Sequence, residues 1–162
     1  MKNLFKMIKS NAFFSEDRKY RYLLIRGWDL NKPSLMIISL NPSTADEKRN
    51  DPTITRCLGF AKKWGFGKLF VTNLFAFRAT LPRNLFVSHN PIGDKNDRWI
   101  RKVSKKVDKI VLAYGNHGKF KNRHDEMLKI IKNPYCIKKT KTGMPQHPLY
   151  LKYTQKPIVY QK

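Results

Sequence analysis

Two cysteines, eleven acidic residues and no long apolar run are the first limits this 162-residue sequence sets. Cys57 and Cys136 are too few and too isolated for a zinc or iron–sulfur set, and they suggest no disulfide framework. Cys57 falls on an apolar helix face, where a small buried thiol is the ordinary reading. The longest stretch without a charge, Pro33 to Ala45, covers thirteen residues, short of the roughly 20 that a membrane span needs. The opening "MKNLFKMIKS" interrupts its apolar residues with lysines and has no signal-peptide core. A soluble, cytoplasmic protein with no membrane partner is therefore expected.

Several catalytic and binding motifs are also missing. There is no G-x-x-x-x-G-K-[ST] phosphate loop, and "GFGK" at 65–68 precedes a strand instead of a helix. H-E-x-x-H, paired C-x-x-C and G-x-S-x-G are absent. The histidines His89, His117, His124 and His147 lack metal-ligand spacing, so neither a metal nor a cofactor is expected. His124, beside Asp125 and Glu126 on a helical stretch, reads as a solvated surface group.

What the chain has in excess is positive charge. Thirty-four Lys and Arg against eleven acids give +23, which points to a polyanionic partner such as nucleic acid. Most of these cations are lysines, and lysine-rich composition also follows from AT-rich coding sequence. No repeat or low-complexity linker divides the chain. One α/β domain over 1–162 is expected, with an N-terminal extension at 1–19 and a C-terminal tail at 152–162.

"YRYLLIRGW" (20–28) reads as a strand, and the charges flanking its apolar centre suit an edge. "SLMIISL" (34–40) is a continuous apolar run, the pattern of a central strand covered on both faces. In "DPTITRCLGFAKKWG", Asp51 is a helix N-cap and Pro52 occupies the first helical position. Ile54, Cys57, Leu58 and Ala61 follow at helical spacing, and Gly65 is a stop signal. Further strands are expected at 68–77, 110–115 and 135–139, with helices at 94–109 and 121–132. This alternation predicts a three-layer α/β/α fold around a mainly parallel sheet of four or five strands.

In such a sheet the strands' carboxyl ends share one rim, where ligands bind. Each strand here runs into a polar string: "NPSTAD" at 41, Asn73 onward to "FRAT", "GNHG" at 115, and "TKTGMPQHPLY" at 140. Turn chemistry explains any one of these; it explains all four together less well. The candidate binding residues are Pro42, Ser43, Asn73, Phe75, Arg78, Asn116 and His117, with Asn41 and His147 as candidate catalytic residues. Asn41 and Asn73 could read a base edge or hold a water, or simply cap the following turn. Arg78 could hold a phosphate or pair with an acid. Phe75 and Phe77 would ordinarily be core, though one could stack on a base. Pro145 and Pro148 restrain His147, either for a ligand or for the backbone.

"LNPSTAD", "DPTITRC", "WGFG", "NLFAFRAT", "PIGDKND" and "GMPQHPLYL" together resemble the domain of unknown function sixteen forty-three family, found in bacteria and their viruses. More distantly, "SLNP" and "HPL" resemble motifs of the uracil-DNA glycosylase superfamily. That resemblance implies a uracil-DNA-glycosylase-like parallel α/β/α fold, with Asn41 positioning the attacking water and His147 stabilising charge on a departing base. The reading is then a nucleic-acid-directed protein, with DNA favoured over RNA, that hydrolyses the N-glycosidic bond of a flipped or modified base. The alternative is a non-catalytic module that binds nucleic acid or a nucleotide in the same pocket.

Overall fold

An uninterrupted apolar strand needs partners on both edges and cover on both faces, and "SLMIIS" has all four. The computed structural model describes residues 9–162; the stretch 1–8, including most of the lysine-interrupted opening, lies outside them. Among the described residues seven strands form one sheet: β1 Ser10–Phe14, β2 Arg21–Gly27, β3 Ser34–Ser39, β4 Lys68–Asn73, β5 Lys109–Leu112, β6 Tyr135–Cys136 and β7 Ile158–Val159. Their order is β1-β2-β4-β3-β5-β6-β7. Among the described residues four helices accompany them: α1 Pro52–Lys63, α2 Pro82–Phe86, α3 Asn96–Ser104 and α4 Arg123–Ile130, the last entered through a 3-10 segment, Asn116–Asn122.

The sheet is mixed, and this corrects the expectation of a mainly parallel sheet of four or five strands. β3 pairs in parallel with β4 and β5, and β5 with β6, whereas β1–β2, β2–β4 and β6–β7 are antiparallel. The uracil-DNA-glycosylase-like architecture falls with it. Strand direction is the cause: apolar pattern marks a strand but does not say which way it runs. β1 and β7 lie within the stretches read as extension and tail, and both are paired into the sheet.

β2 also departs from its reading, for it lies between β1 and β4 and not at an edge. The charges that suggested an edge are buried. Arg26 donates to the carbonyls of Asp46 (2.7 Å) and Arg49 (3.0 Å), and Arg21 to that of Ala45 (3.1 Å). Burying a guanidinium is tolerable only with such partners. The two arginines thereby fasten the polar loop after β3 across the face of the sheet.

A core lies on each face. Met36 and Ile38 pack with Ile100 and Val103 of α3 and Met127 of α4, while Leu35 and Ile37 pack with Ile54, Cys57, Phe60 and Ala61 of α1. Each of the Leu, Ile, Val, Met and Phe side chains here, fully buried, contributes roughly 1.5–3 kcal/mol of transfer free energy. α1 begins as its sequence predicts, with Pro52 in its first turn and the Asp51 carboxylate accepting the Ile54 N–H at 2.9 Å. Cys57 is buried, and burial pushes its thiol up to about 12. No helix among the described residues is long and apolar enough to cross a membrane.

Residues 148–157 form a strap over α1. The Tyr153 ring meets Phe60 edge-on at 4.9 Å and fills the space beside Gly59, where an added Cβ would come within 2.4 Å of it. Trp64 Nε1 donates to the Gln155 carbonyl at 2.9 Å. The Arg56 guanidinium stacks on Tyr153 at 4.0 Å and donates to the Leu151 carbonyl.

Candidate functional site

The parallel strands β3, β4 and β5 end together, and their backbone pairing continues past the strand ends. The Leu74 and Phe75 N–H groups donate to the carbonyls of Ser39 and Leu40, and Ala79 N–H donates to that of Pro42 (2.9 Å). Half-buried Asn41 reinforces this junction, its Nδ2 donating to the carbonyls of Ala79 (2.7 Å) and Pro42 (3.1 Å). Arg78 does the same from the other side. Its Nε donates to the Ser43 carbonyl at 3.2 Å, and another nitrogen donates to the Arg18 carbonyl. Ser43 Oγ reaches Thr80 Oγ1 at 3.4 Å. Asn41, Pro42, Ser43 and Arg78 therefore come together, and their polar groups tie two loops to each other.

The remaining predicted residues are divided. Phe75 is fully buried against Phe120, with ring centroids 5.4 Å apart. Asn116 Oδ1 accepts from the Thr140 and Thr142 hydroxyls at 2.7 and 2.8 Å, which fastens the loop after β6. His117 is exposed and lies edge-on to Phe86 at 5.0 Å. His147 sits where that same loop returns to the end of β5: Gly115 N–H donates to the Pro145 carbonyl at 2.7 Å, and the His147 Cβ lies beside Gly115.

The His147 imidazole has a defined tautomer. Its Nδ1 accepts the Leu149 N–H at 3.2 Å, so the neutral ring carries its proton on Nε2. Burial holds its pKa below the usual 6.5 and outweighs the opposing charge of Asp51. His147 is thus a neutral ring with a donor to offer.

The strongest signal at the rim comes from side chains with nothing to bond. Most buried polar groups in folded proteins have partners. Among the described residues, Arg21 Nε, Ser39 Oγ, Thr72 Oγ1, both ends of the Asn73 amide, Asn96 Oδ1 and Arg56 Nε are buried without one. All but the last belong to residues at the carboxyl ends of β3 and β4 or bonded to that junction. Ser39 and Asn73 are register partners, and by strand alternation both project toward α1 with Ile37 and Val71. Thr72 projects to the other face. There Asn96 donates to the Asn73 and Leu74 carbonyls at 2.9 and 3.1 Å.

Arg21 supplies the charge on the α1 side. Burial lowers its pKa to about 10, against the favourable charge of Asp51, so it stays cationic at neutral pH. Asp51 is itself committed: its two oxygens accept the Ile54 and Ala45 N–H groups. The α1 face of the rim thus gathers a charged guanidinium with one orphan N–H, a free hydroxyl and a wholly unpaired amide. Of these only Asn73 stood among the candidates from sequence. Ser39 opens the flagged "SLNP" and is the last residue of its strand, and nothing in the pattern of β2 singled out Arg21.

His124 is the clearest departure from its reading as a surface group. It is buried, with Nδ1 2.5 Å from the Tyr114 hydroxyl and Nε2 3.0 Å from that of Tyr160. Tyr160 spends its proton on the Gly143 carbonyl (3.0 Å). The order of donation is then fixed: Tyr114 O–H to Nδ1, and Nε2–H to the Tyr160 oxygen. Burial lowers the His124 pKa and raises that of Tyr114. This chain is fully satisfied, unlike the rim.

The family model described as "protein of unknown function (DUF1643)" matches residues 21–149. No curated protein and no solved structure matches the chain.

Proposed function

The chain belongs to the DUF1643 family, and from that premise and the geometry of the rim we propose that it binds nucleic acid or a nucleotide by taking a base against the α1 side of the β3–β4 ends. The observation that carries this is the unpaired Asn73 amide beside the unpaired Ser39 hydroxyl. An amide with both ends free matches the paired donor and acceptor of a base edge, as in the bidentate contact of Asn to adenine. The orphan N–H of Arg21 and the Nε2–H of His147 add donors for carbonyl or phosphate oxygens. The net charge of +23 supports a phosphate-bearing ligand over a neutral one.

Binding without bond cleavage fits these residues better than excision does. Asn41, assigned by resemblance to positioning water, spends its amide nitrogen on two backbone carbonyls. Asp51 spends both oxygens on backbone N–H groups. One observation favours the second reading, N-glycosidic hydrolysis: His147 carries a proton on Nε2 that could stabilise charge on a departing base.

Fluorescence anisotropy with labelled single-stranded and duplex oligonucleotides and with free nucleotides tests the proposal. Binding that is lost in Asn73→Leu and Ser39→Ala, with no alkali-labile product, is the expected result. An alkali-labile strand break at a uracil, mismatched or modified base, slowed by His147→Ala, would establish the second reading instead. No binding to any of these probes at low salt overturns both.

A further inference from the structure

Tyr150 combines two costs that the fold does not require. It is an aromatic side chain 95% exposed to solvent, and its backbone lies at φ 69°. The Leu151 N–H donates to the Pro148 carbonyl at 3.2 Å, closing a four-residue turn in which Tyr150 is third. A positive φ at that place ordinarily selects glycine or asparagine. Tyrosine there is strained, and its ring touches no core that would offset the strain.

The turn itself is firmly held. Pro148 and Leu151 are buried on either side of it, and Leu151 packs in the α1-side core. Arg56 donates to the Leu151 carbonyl, and the Leu149 N–H donates to His147 Nδ1. The same turn therefore orients the imidazole at the rim and displays a bare aromatic face three residues further on. Strain kept at an exposed position of an anchored loop is a mark of function.

Resting on the base-binding reading above, we propose that Tyr150 is a stacking platform for an unpaired base, so that the ligand is single-stranded nucleic acid. A base within a duplex has both faces covered by its neighbours and offers none to Tyr150. An unpaired base offers its π-face whatever its identity, and stacking on an exposed aromatic is the common device for holding single strands. His147 and the Asn73 amide would supply hydrogen bonds, and Tyr150 would supply sequence-tolerant affinity.

Two substitutions and three probes test this. Tyr150→Asn suits the positive φ but removes the ring, and Tyr150→Phe keeps the ring but removes the hydroxyl. With a short single-stranded deoxyoligonucleotide, Tyr150→Asn should weaken binding roughly 5- to 150-fold, the worth of one stacked base, while Tyr150→Phe stays within about twofold because the π-face, not the hydroxyl, makes the contact. With an oligomer of abasic sugar-phosphate, neither substitution should change the affinity. The corresponding duplex should bind more weakly than the single strand. The melting temperature of Tyr150→Asn should equal or exceed that of the parent, which separates loss of stacking from loss of fold. Equal single-strand affinity in the parent and in Tyr150→Asn overturns the platform and leaves the base-binding reading standing. Absence of nucleic-acid binding in the parent overturns both. A melting temperature that falls with Tyr150→Asn would show the ring to be structural and would also overturn the platform.

Discussion

Replacing Asn73 by leucine should make the protein more stable and less able to bind. The side chain is buried, and neither end of its amide has a partner. A buried polar group left unsatisfied costs about 1–3 kcal/mol, whereas an apolar replacement of similar shape removes the penalty. Leucine has the branching and the number of side-chain heavy atoms of asparagine, and Ile37 and Val71 of the α1-side core lie on the same face of the sheet. A gain of about 1–3 kcal/mol is expected in urea denaturation, or roughly 2–12 °C in melting temperature for a domain of this size. The stabilisation that a saturating oligonucleotide gives the parent should shrink in the variant, because a ligand stabilises only through its affinity for the folded state. Thr72→Val is the control. It removes an equally orphaned hydroxyl on the opposite face, so it should stabilise without altering binding. A loss of more than about 1 kcal/mol in Asn73→Leu would refute the reasoning, since it would mean that the amide holds the fold together. An unchanged ligand-induced shift would separate the amide from the site.

Other outcomes follow from the same structure. Binding should weaken steeply with salt because each neutralised phosphate releases counterions; affinity unchanged between low and physiological salt would remove the electrostatic part of the reading. Stability should fall on acidification. His124 and His147 are both held below 6.5 by burial, so the unfolded chain takes up protons first. Their contribution is present above about pH 6.5 and is lost as pH falls through the lower folded values. In the His124 neighbourhood Asp125 opposes this shift, while Lys162 and Lys119 reinforce it. Melting curves from pH 7.5 to pH 5, roughly spanning the histidine range, should show a smaller decline in His124→Gln. Gly59→Ala should cost about 1–3 kcal/mol by driving a methyl into the Tyr153 ring, and limited proteolysis should then cut first within 148–157.

Much of the fold was legible where local chemistry acts alone. Asp51 and Pro52 announced α1, and the unbroken run 34–40 announced a strand with neighbours on both sides. The order and direction of strands were not legible, because the β2–β4 and β6–β7 pairings join segments far apart in sequence. Arginine was misleading for a related reason. Arg21 and Arg26 look like solvent-facing residues until the loop at 45–50 brings carbonyls to them. His124 was misread through its acidic neighbours, while the tyrosines that enclose it come from β5's end and from the tail. For the site, turn-forming residues marked the loops at the strand ends, but the same hydrogen-bonding capacity that flagged Asn41, Arg78 and Asn116 is consumed in holding those loops together.

The sheet order also has a consequence for how the chain is made. β3 is buried along its whole length, yet both of its partners, β4 and β5, follow it in sequence. At roughly 5–20 residues per second of synthesis, β3 emerges and waits several seconds before Lys109–Leu112 can close its second edge. During that interval its second edge is an unpaired apolar template with an open backbone. Truncated chains ending between β4 and β5 should aggregate far more readily than the full chain, and ribosome stalling in 74–108 would be the most hazardous pause in its synthesis.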